Sequence, residues 1–386
     1  VQSARVVRRQ AQRAALGRVG ARLQEAAEKG SVTPADLAKL AVDYLQPLAR
    51  ETESEARLLM DVTALDARHQ AQRWAVKGVV PSNAVGMIFG ASGAFKSFIA
   101  LDYALHRAYG MTWCGRRTAK GTPIYIAAEG GAGLILRIKA WHQFHGMDWR
   151  ECPMRVVIVP MALMTEAGVL RDAIVTADVT PSDIVVDTMS QCFSGEENSS
   201  TEVASFLRTI GTELRDPFGA TVIVVHHNGH SATERPRGSS AIVSNTDFVF
   251  GCFRDEKEMM ATVQCIKQKD GERCADLTFS LHHQVLGKDD DGDDVTSLVA
   301  KYISGAAEII AAATKSGAPS SFTRLLQAIG TGAPEEEVRK RFYESMPEAD
   351  TDTRRQAYFR AMRRAEGQSL IIRNGDWLDI SGGARA

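Results

Sequence analysis

The chain lacks any apolar run long enough to cross a bilayer: "DIVVDT" and "TVIVVHH" fall far short of the roughly 20 residues a spanning helix needs. Its N-terminus also lacks the ordered charge, apolar stretch and small residues of a signal peptide. Both absences argue against a membrane or exported protein, and the expected location is the cytoplasm. Cysteine is sparse. Cys114, Cys152, Cys192, Cys252, Cys265 and Cys274 show no CxxC spacing, which speaks against a disulfide scaffold or zinc site and suits reduced thiols packed as small apolar residues. Internal repeats are absent. Net charge is nearly absent as well, at -1 over 386 residues, but its distribution is uneven. No acid precedes Glu25, whereas Arg5, Arg8, Arg9, Arg13, Arg18 and Arg22 do. Arg354, Arg355, Arg360, Arg363 and Arg364 form a second basic cluster. Either cluster is a nucleic-acid surface or a solvated helix face.

What is present, 44% hydrophobic residues, suffices for a large core. Residues 1–72 read as helical: in "SVTPADLAKLAVDYL", Thr33 is placed as N-cap, Pro34 at the first helical position, and Leu37, Leu40, Ala41 and Leu45 on one face. Over 73–303 the pattern changes to short β-branched runs between helical segments: "AVGMIF", "PIYIAA", "RVVIVP", "DIVVD" and "ATVIVVHH". Runs apolar on both faces indicate a largely parallel sheet covered by helices. Four further strand-like runs without long helices between them indicate an edge meander. The "GKDDDGDD" between two of them lacks the distal glutamate of a calcium loop and reads as a solvated hairpin turn. Residues 304–320 form a small-residue linker. Residues 321–386 read as three short helices and a hairpin at Asn374-Gly375.

"GASGAFKS" follows a predicted strand and precedes a helix, the setting in which backbone N–H groups and a helix N-terminus converge on phosphate. Gly90, Lys96 and Ser97 fit the phosphate-loop pattern, but Phe95 stands where a glycine is usual. It is tolerable there if the backbone keeps ordinary dihedrals and the ring points away from the phosphates. On this reading Gly90, Ala91, Ser92, Gly93, Ala94, Phe95, Lys96 and Ser97 cradle ATP. Lys96 reaches the β- and γ-phosphates and Ser97 ligates Mg²⁺. Asp187, ending "DIVVD" at the strand's C-terminal end, suits a carboxylate that holds Mg²⁺ together with its water. Glu129, ending "YIAAE", suits a general base or, alternatively, a helix N-cap. "VIVVHHNGH" ends a further strand with polar side chains at the height of a γ-phosphate; no cysteine or acidic cluster accompanies its histidines as metal ligands.

These motifs, in the order "WAVKGVVPSNAVGMIFGASGAFKSF", "YIAAEGGAGL", "IVVDTMSQCFSGEENSS", "VVHHNGHSATERPRGSSAI" and "KQKDGE", resemble the RecA-type ATPases related to the plasmid RepA hexameric helicase, found in phages, plasmids and integrated elements. The resemblance implies an α/β fold: a RecA-like parallel-sheet ATPase core, here with a helical N-terminal region and a C-terminal winged-helix-like domain. It implies ATP and Mg²⁺ as cofactors, Glu129 as catalytic base and His227 as γ-phosphate sensor. In the loop "GHSATERPRGSS" it implies contacts to single-stranded DNA from His230, Arg235 and Arg237, where an ordinary surface loop is the alternative. Lys267 and Lys269 alternate along a predicted strand and so are expected on one face, either as a solvated pair or, as the resemblance implies, with one of them reaching the neighbouring subunit's γ-phosphate.

In "TDTRRQAYFRAMRRAEG", Tyr358, Ala361, Met362 and Ala365 share one helix face, and Arg360, Arg363 and Arg364 are expected on the opposite one. A basic front suits duplex DNA through phosphate contacts; a docking module for an initiator or polymerase is the alternative. The leading reading is therefore an ATP-dependent replicative DNA helicase of a mobile genetic element, translocating on single-stranded DNA as a homo-oligomer, expected to be a hexamer. Its rivals are a RecA-type recombination or repair ATPase and an ATP-switched initiation or partition protein. The sequence starts at Val1 rather than a methionine, and an upstream primase or primase-polymerase domain is an expectation of the leading reading.

Overall fold

The computed structural model describes residues 73–386 apart from 129–130, 228–239, 256–258, 306–308, 311–318, 368–369 and 381–386, and before them 17, 20–25, 27, 33, 39, 41–42 and 62–63. The chain divides into two units, Val1–Ala71 and Gln72–Ala386. In the first, every described residue except Thr33 is helical and Arg22 is exposed; the rest of the N-terminal basic cluster and Pro34 lie outside the described residues.

The second unit opens with a short ladder of β1 (Trp74–Val76) and β2 (Val80–Pro81), then β3 (Val85–Gly90) and α1 (Lys96–Tyr109). β4 (Pro123–Ala127), α2 (Gly131–Phe144), β5 (Arg155–Val157), α3 (Leu163–Thr176) and β6 (Asp183–Asp187) follow. Next come α4 (Ser200–Ile210), β7 (Thr221–His227), α5 (Ser240–Asn245) and the strands β8 (Phe248–Asp255), β9 (Met260–Gln268), β10 (Leu277–Lys288) and β11 (Asp294–Ile303). Among the described residues, nine strands form one sheet in the order β11-β10-β9-β8-β3-β7-β6-β4-β5. Pairing is parallel from β8 through β5 and antiparallel from β8 through β11.

Side chains of the central strands alternate between two cores, as the period of two requires. Ile88, Tyr125, Val185 and Ile223 face α1 and α2, whereas Met87, Ile126, Val186 and Val224 face α3 and α4. That two-sided burial is why these runs are continuously apolar. "RVVIVP" departs from the expectation: among the described residues only Arg155–Val157 pairs, as the outermost strand of the sheet, and Val156, Ile158 and Val159 are exposed. Buried Asp102 ties α1 to its surroundings by accepting from the indole N–H groups of Trp113 and Trp141, each at 2.8 Å. The acidic segment between β10 and β11 is a hairpin in which the Asp289 carboxylate accepts from the N–H groups of Asp291 and Asp293.

The C-terminal elements are α6 (Ser321–Ile329), β12 (Ala333–Pro334), α7 (Glu335–Glu344), α8 (Thr351–Gly367), β13 (Ile371–Asn374) and β14 (Trp377–Ile380). The three strands form a small sheet with β14 central. Asn374 pairs with Trp377, so the hairpin loop is Gly375-Asp376, one residue later than the Asn-Gly signal implied; the left-handed φ of 62° falls on Gly375. Phe322, Leu325, Phe342 and Tyr358 pack a third core that also takes in Met260, Ile303 and Ile309. Ile309 lies within the expected linker, most of which is outside the described residues. Among the described residues no helix is long and apolar enough to cross a membrane.

Candidate functional site

The C-terminal ends of β3, β6 and β7 lie side by side, Gly90 beside His227 and Asp187 beside Val225. A Cβ on Gly90 would stand 2.2 Å from the carbonyl oxygen of Cys252 in β8, so the first loop residue must be glycine for β3 and β8 to approach. The loop runs into the N-terminus of α1, whose first turn carries no acidic residue, and this end of a helix favours an anion.

Lys96 is buried, with its Nζ 3.0 Å from the carbonyl oxygen of Gly90, 2.8 Å from that of Ala91 and 3.1 Å from His227 Nδ1. The ammonium can only donate, so Nδ1 is the accepting nitrogen and a neutral His227 carries its proton on Nε2. Ser97 Oγ donates to Asp187 Oδ1 at 2.9 Å, while Tyr125 donates its hydroxyl to Asp187 Oδ2 at 2.6 Å. Ser97 and Asp187 thus present hard oxygen ligands at the end of the phosphate loop, a donor set that fits Mg²⁺. Cys252 is pushed up to about 12 by burial, against the opposing effect of the Lys96 charge, and stays a thiol that donates to the Ala94 carbonyl.

Phe95 corrects one expectation and meets another. Its backbone is left-handed, φ 64° and ψ 14°, not ordinary. Its ring turns away from the loop into the core, only 9% exposed, edge-on to Phe98 and beneath the Arg254 guanidinium, which lies 4.6 Å from the ring centroid. Arg254 also donates to the Gly93 carbonyl at 3.3 Å. Sequence reasoning passed over Tyr125 and Arg254. A tyrosine in the apolar "PIYIAA" was a signal, since a buried phenol needs a polar partner; Arg254 offered none.

Glu129, His230, Arg235 and Arg237 lie outside the described residues. The two lysines do not share a strand face. Lys267, in β9, turns its Nζ onto the carbonyls of Val243, Ser244 and Thr246 at the C-terminal end of α5, where a cation is favoured. Lys269 lies beyond the end of β9, 59% exposed, with its Nζ 3.2 Å from Asp247 Oδ1. Gly86 pairs with Phe248 and Phe248 with Gln268, so Lys269 sits at the N-terminal end of β3. The phosphate loop leaves the other end, roughly 15 Å away at about 3.3 Å per residue. A cleft of about 250 Å³ lined by Trp74, Arg215, Asp247 and Lys269 opens there.

On α8, Arg360 and Arg363 are exposed as expected, but Arg364 is not on their face. Its guanidinium stacks over Phe322 at 3.9 Å and pairs with Asp255 at 3.3 Å, because the helix is wedged between α6 and the β8–β9 end. Arg354 is likewise turned inward, donating to the carbonyls of Met346 and Pro347.

Residues 50–233 match the family model described as an AAA domain. None of the curated proteins matches the chain in sequence. Among solved structures, the chain is similar to the RadB recombinase crystal structure at 15% identity and a TM-score of 0.40, over 52% of this chain and 88% of that one. It is also similar to a second solved structure, an ATPase domain, at 11% identity and a TM-score of 0.43, over 66% of this chain and 98% of that one.

Proposed function

We propose that this chain, a RecA-type ATPase with an AAA-domain match over residues 50–233, is an ATP-driven replicative DNA helicase of a mobile genetic element, working as a hexameric ring on single-stranded DNA. The observation that carries the nucleotide reading is the convergence of Lys96, Ser97, Asp187 and His227 at adjacent strand ends. The order of the five sequence motifs supports the helicase reading.

ATP binding exchanges the Gly90 and Ala91 carbonyls around Lys96 Nζ for β- and γ-phosphate oxygens. Ser97 and Asp187 would hold Mg²⁺, which would shield phosphate charge. Tyr125 keeps the Asp187 carboxylate in one orientation. Glu129 takes the proton of the attacking water as the bond to the γ-phosphorus forms and the bond to ADP breaks. His227, already touching Lys96, senses the γ-phosphate. The loop with His230, Arg235 and Arg237 contacts single-stranded DNA. Lys269 serves the neighbouring subunit, since its own phosphate loop leaves the opposite end of β3. The C-terminal unit, read as winged-helix-like, contacts DNA phosphates through Arg360 and Arg363.

Lys96→Ala is expected to abolish ATP binding or turnover, and Glu129→Gln to bind ATP yet hydrolyse it slowly, both read by nucleotide binding and phosphate release. Native mass with ATP and single-stranded DNA should give a six-subunit ring with stimulated turnover. Helical filaments, or duplex binding with negligible turnover, would overturn the helicase reading in favour of a recombinase or an ATP switch.

A further inference from the structure

α8 packs through Ala357, Tyr358, Ala361, Met362 and Ala365, all buried. Its opposite side is exposed and carries Arg355, Phe359 and Arg363 at successive intervals of four residues, which line up along one helix face. Arg354 and Arg364 turn back onto the fold, so of the sequence cluster Arg355, Arg360 and Arg363 remain exposed, two of them on this stripe. In its middle stands Phe359, 53% exposed, while the adjacent Tyr358 is 1% exposed. The Arg355 guanidinium lies 6.0 Å from the Phe359 ring centroid, close enough to favour the ring electrostatically. Of the nearby acids, Glu366 faces Arg373 at 3.6 Å and Asp352 lies at the start of the helix.

Exposed arginines suit phosphates, but a lone phosphate surface has no use for an uncovered phenyl ring. Bases in a duplex hide their faces in the stack and offer only their edges. Unpaired bases offer faces, and an aromatic side chain between cations is what a single strand's alternation of base and phosphate matches.

We propose that Phe359 is a stacking platform for an unpaired base of single-stranded DNA, with Arg355 and Arg363 holding the phosphates on either side. This rests on reading the α8 face as DNA-binding, and it replaces a duplex ligand with a single strand. Arg355 and Arg363 are about 12 Å apart along the helix, enough to flank one base.

The experiment uses the full chain and a single-stranded oligonucleotide carrying 5-iodouracil, cross-linked by light and digested with trypsin. The adduct is expected in the peptide Gln356–Arg360, where Phe359 is the exposed aromatic, and is expected to vanish in Phe359→Ala. That variant should lose about tenfold in single-strand affinity at fixed salt, the scale of one base stack, with an unchanged slope of log affinity against log salt. Phe359→Trp should restore the affinity. Replacing Arg355, Arg360 and Arg363 together with alanine should flatten the slope, and an unchanged slope there defeats the DNA reading of the face as a whole. A flattened slope with full affinity in Phe359→Ala, or an adduct formed equally by duplex, defeats the stacking platform alone and leaves the ring to a protein partner.

Discussion

At Phe95 two residue-level effects oppose each other. A left-handed backbone on a residue with a Cβ costs roughly 1–2 kcal/mol, whereas truncating a buried phenylalanine costs about 3–5 kcal/mol. The ring therefore outweighs the strain, which is how the loop keeps a phenylalanine in a glycine's conformation. Stability is accordingly expected to fall in the order wild type, Phe95→Gly, Phe95→Ala, with glycine about 1 kcal/mol above alanine because it alone relieves the backbone. Urea unfolding of the three proteins checks this, and alanine above glycine would contradict the left-handed φ. Tyr125 works on the other side of the site. Tyr125→Phe removes the donor to Asp187 Oδ2, and loss of such an orienting partner costs on the order of tenfold in metal affinity. The expected result is a roughly tenfold rise in the Mg²⁺ concentration for half-maximal ATP turnover, with magnesium-free nucleotide binding unchanged. Neither consequence was legible in the loop motif, since both depend on groups from β4 and β8.

At the scale of elements, α1 joins the phosphate loop to the core and α2 packs beside it, with Asp102 between them. His106 Nδ1 lies 3.2 Å from the Asp102 carboxylate. Burial lowers the His106 pKa, but the hydrogen bond and charge of Asp102 outweigh it and the net shift is upward. A histidine whose folded pKa is raised contributes its full stabilisation below the ordinary value of about 6.5 and loses it as pH rises through the folded value. His142 on α2 and His145 just past its end are lowered by burial, so their contribution has the opposite sense, lost as pH falls. His106→Gln should therefore cost more stability near pH 6 than near pH 8.5, read by chemical unfolding at both. A difference independent of pH would remove the charged His106–Asp102 pair from the account of how α1 is held. The same scale explains the two lysines: alternation put Lys267 and Lys269 on one face of a longer strand, but β9 ends at Gln268 and the carbonyls ending α5 capture Lys267.

For the whole molecule, the sheet separates Lys96 from Lys269 by the length of β3. If Lys269 completes a neighbour's site, Lys269→Ala and Glu129→Gln subunits, each inactive alone, should regain part of the ATPase rate when mixed, because some interfaces join an intact base to an intact lysine. Mixed assemblies confirmed by native mass that show no more turnover than their parents would rule out this division of labour. Lys267→Ala is expected to lower stability more than turnover, since its ammonium caps a helix within its own chain.

The local pattern by itself determined much. Runs apolar on both faces implied the covered parallel strands, the glycine-rich turn before "FKSF" implied a loop between a strand and a helix N-terminus, and "DIVVD" placed Asp187 at the end of a buried strand. These follow from periodicity and from backbone chemistry within a few residues. Only the tertiary structure decided that Phe95 takes a left-handed backbone under Arg254, that Tyr125 orients Asp187, that Lys267 is captured by α5, and that Arg354 and Arg364 point inward while Arg355, Phe359 and Arg363 point out. Each of these depends on which distant side chain or carbonyl lies across from the residue, and that is set by packing between elements, on which the spacing of residues along the chain carries no information.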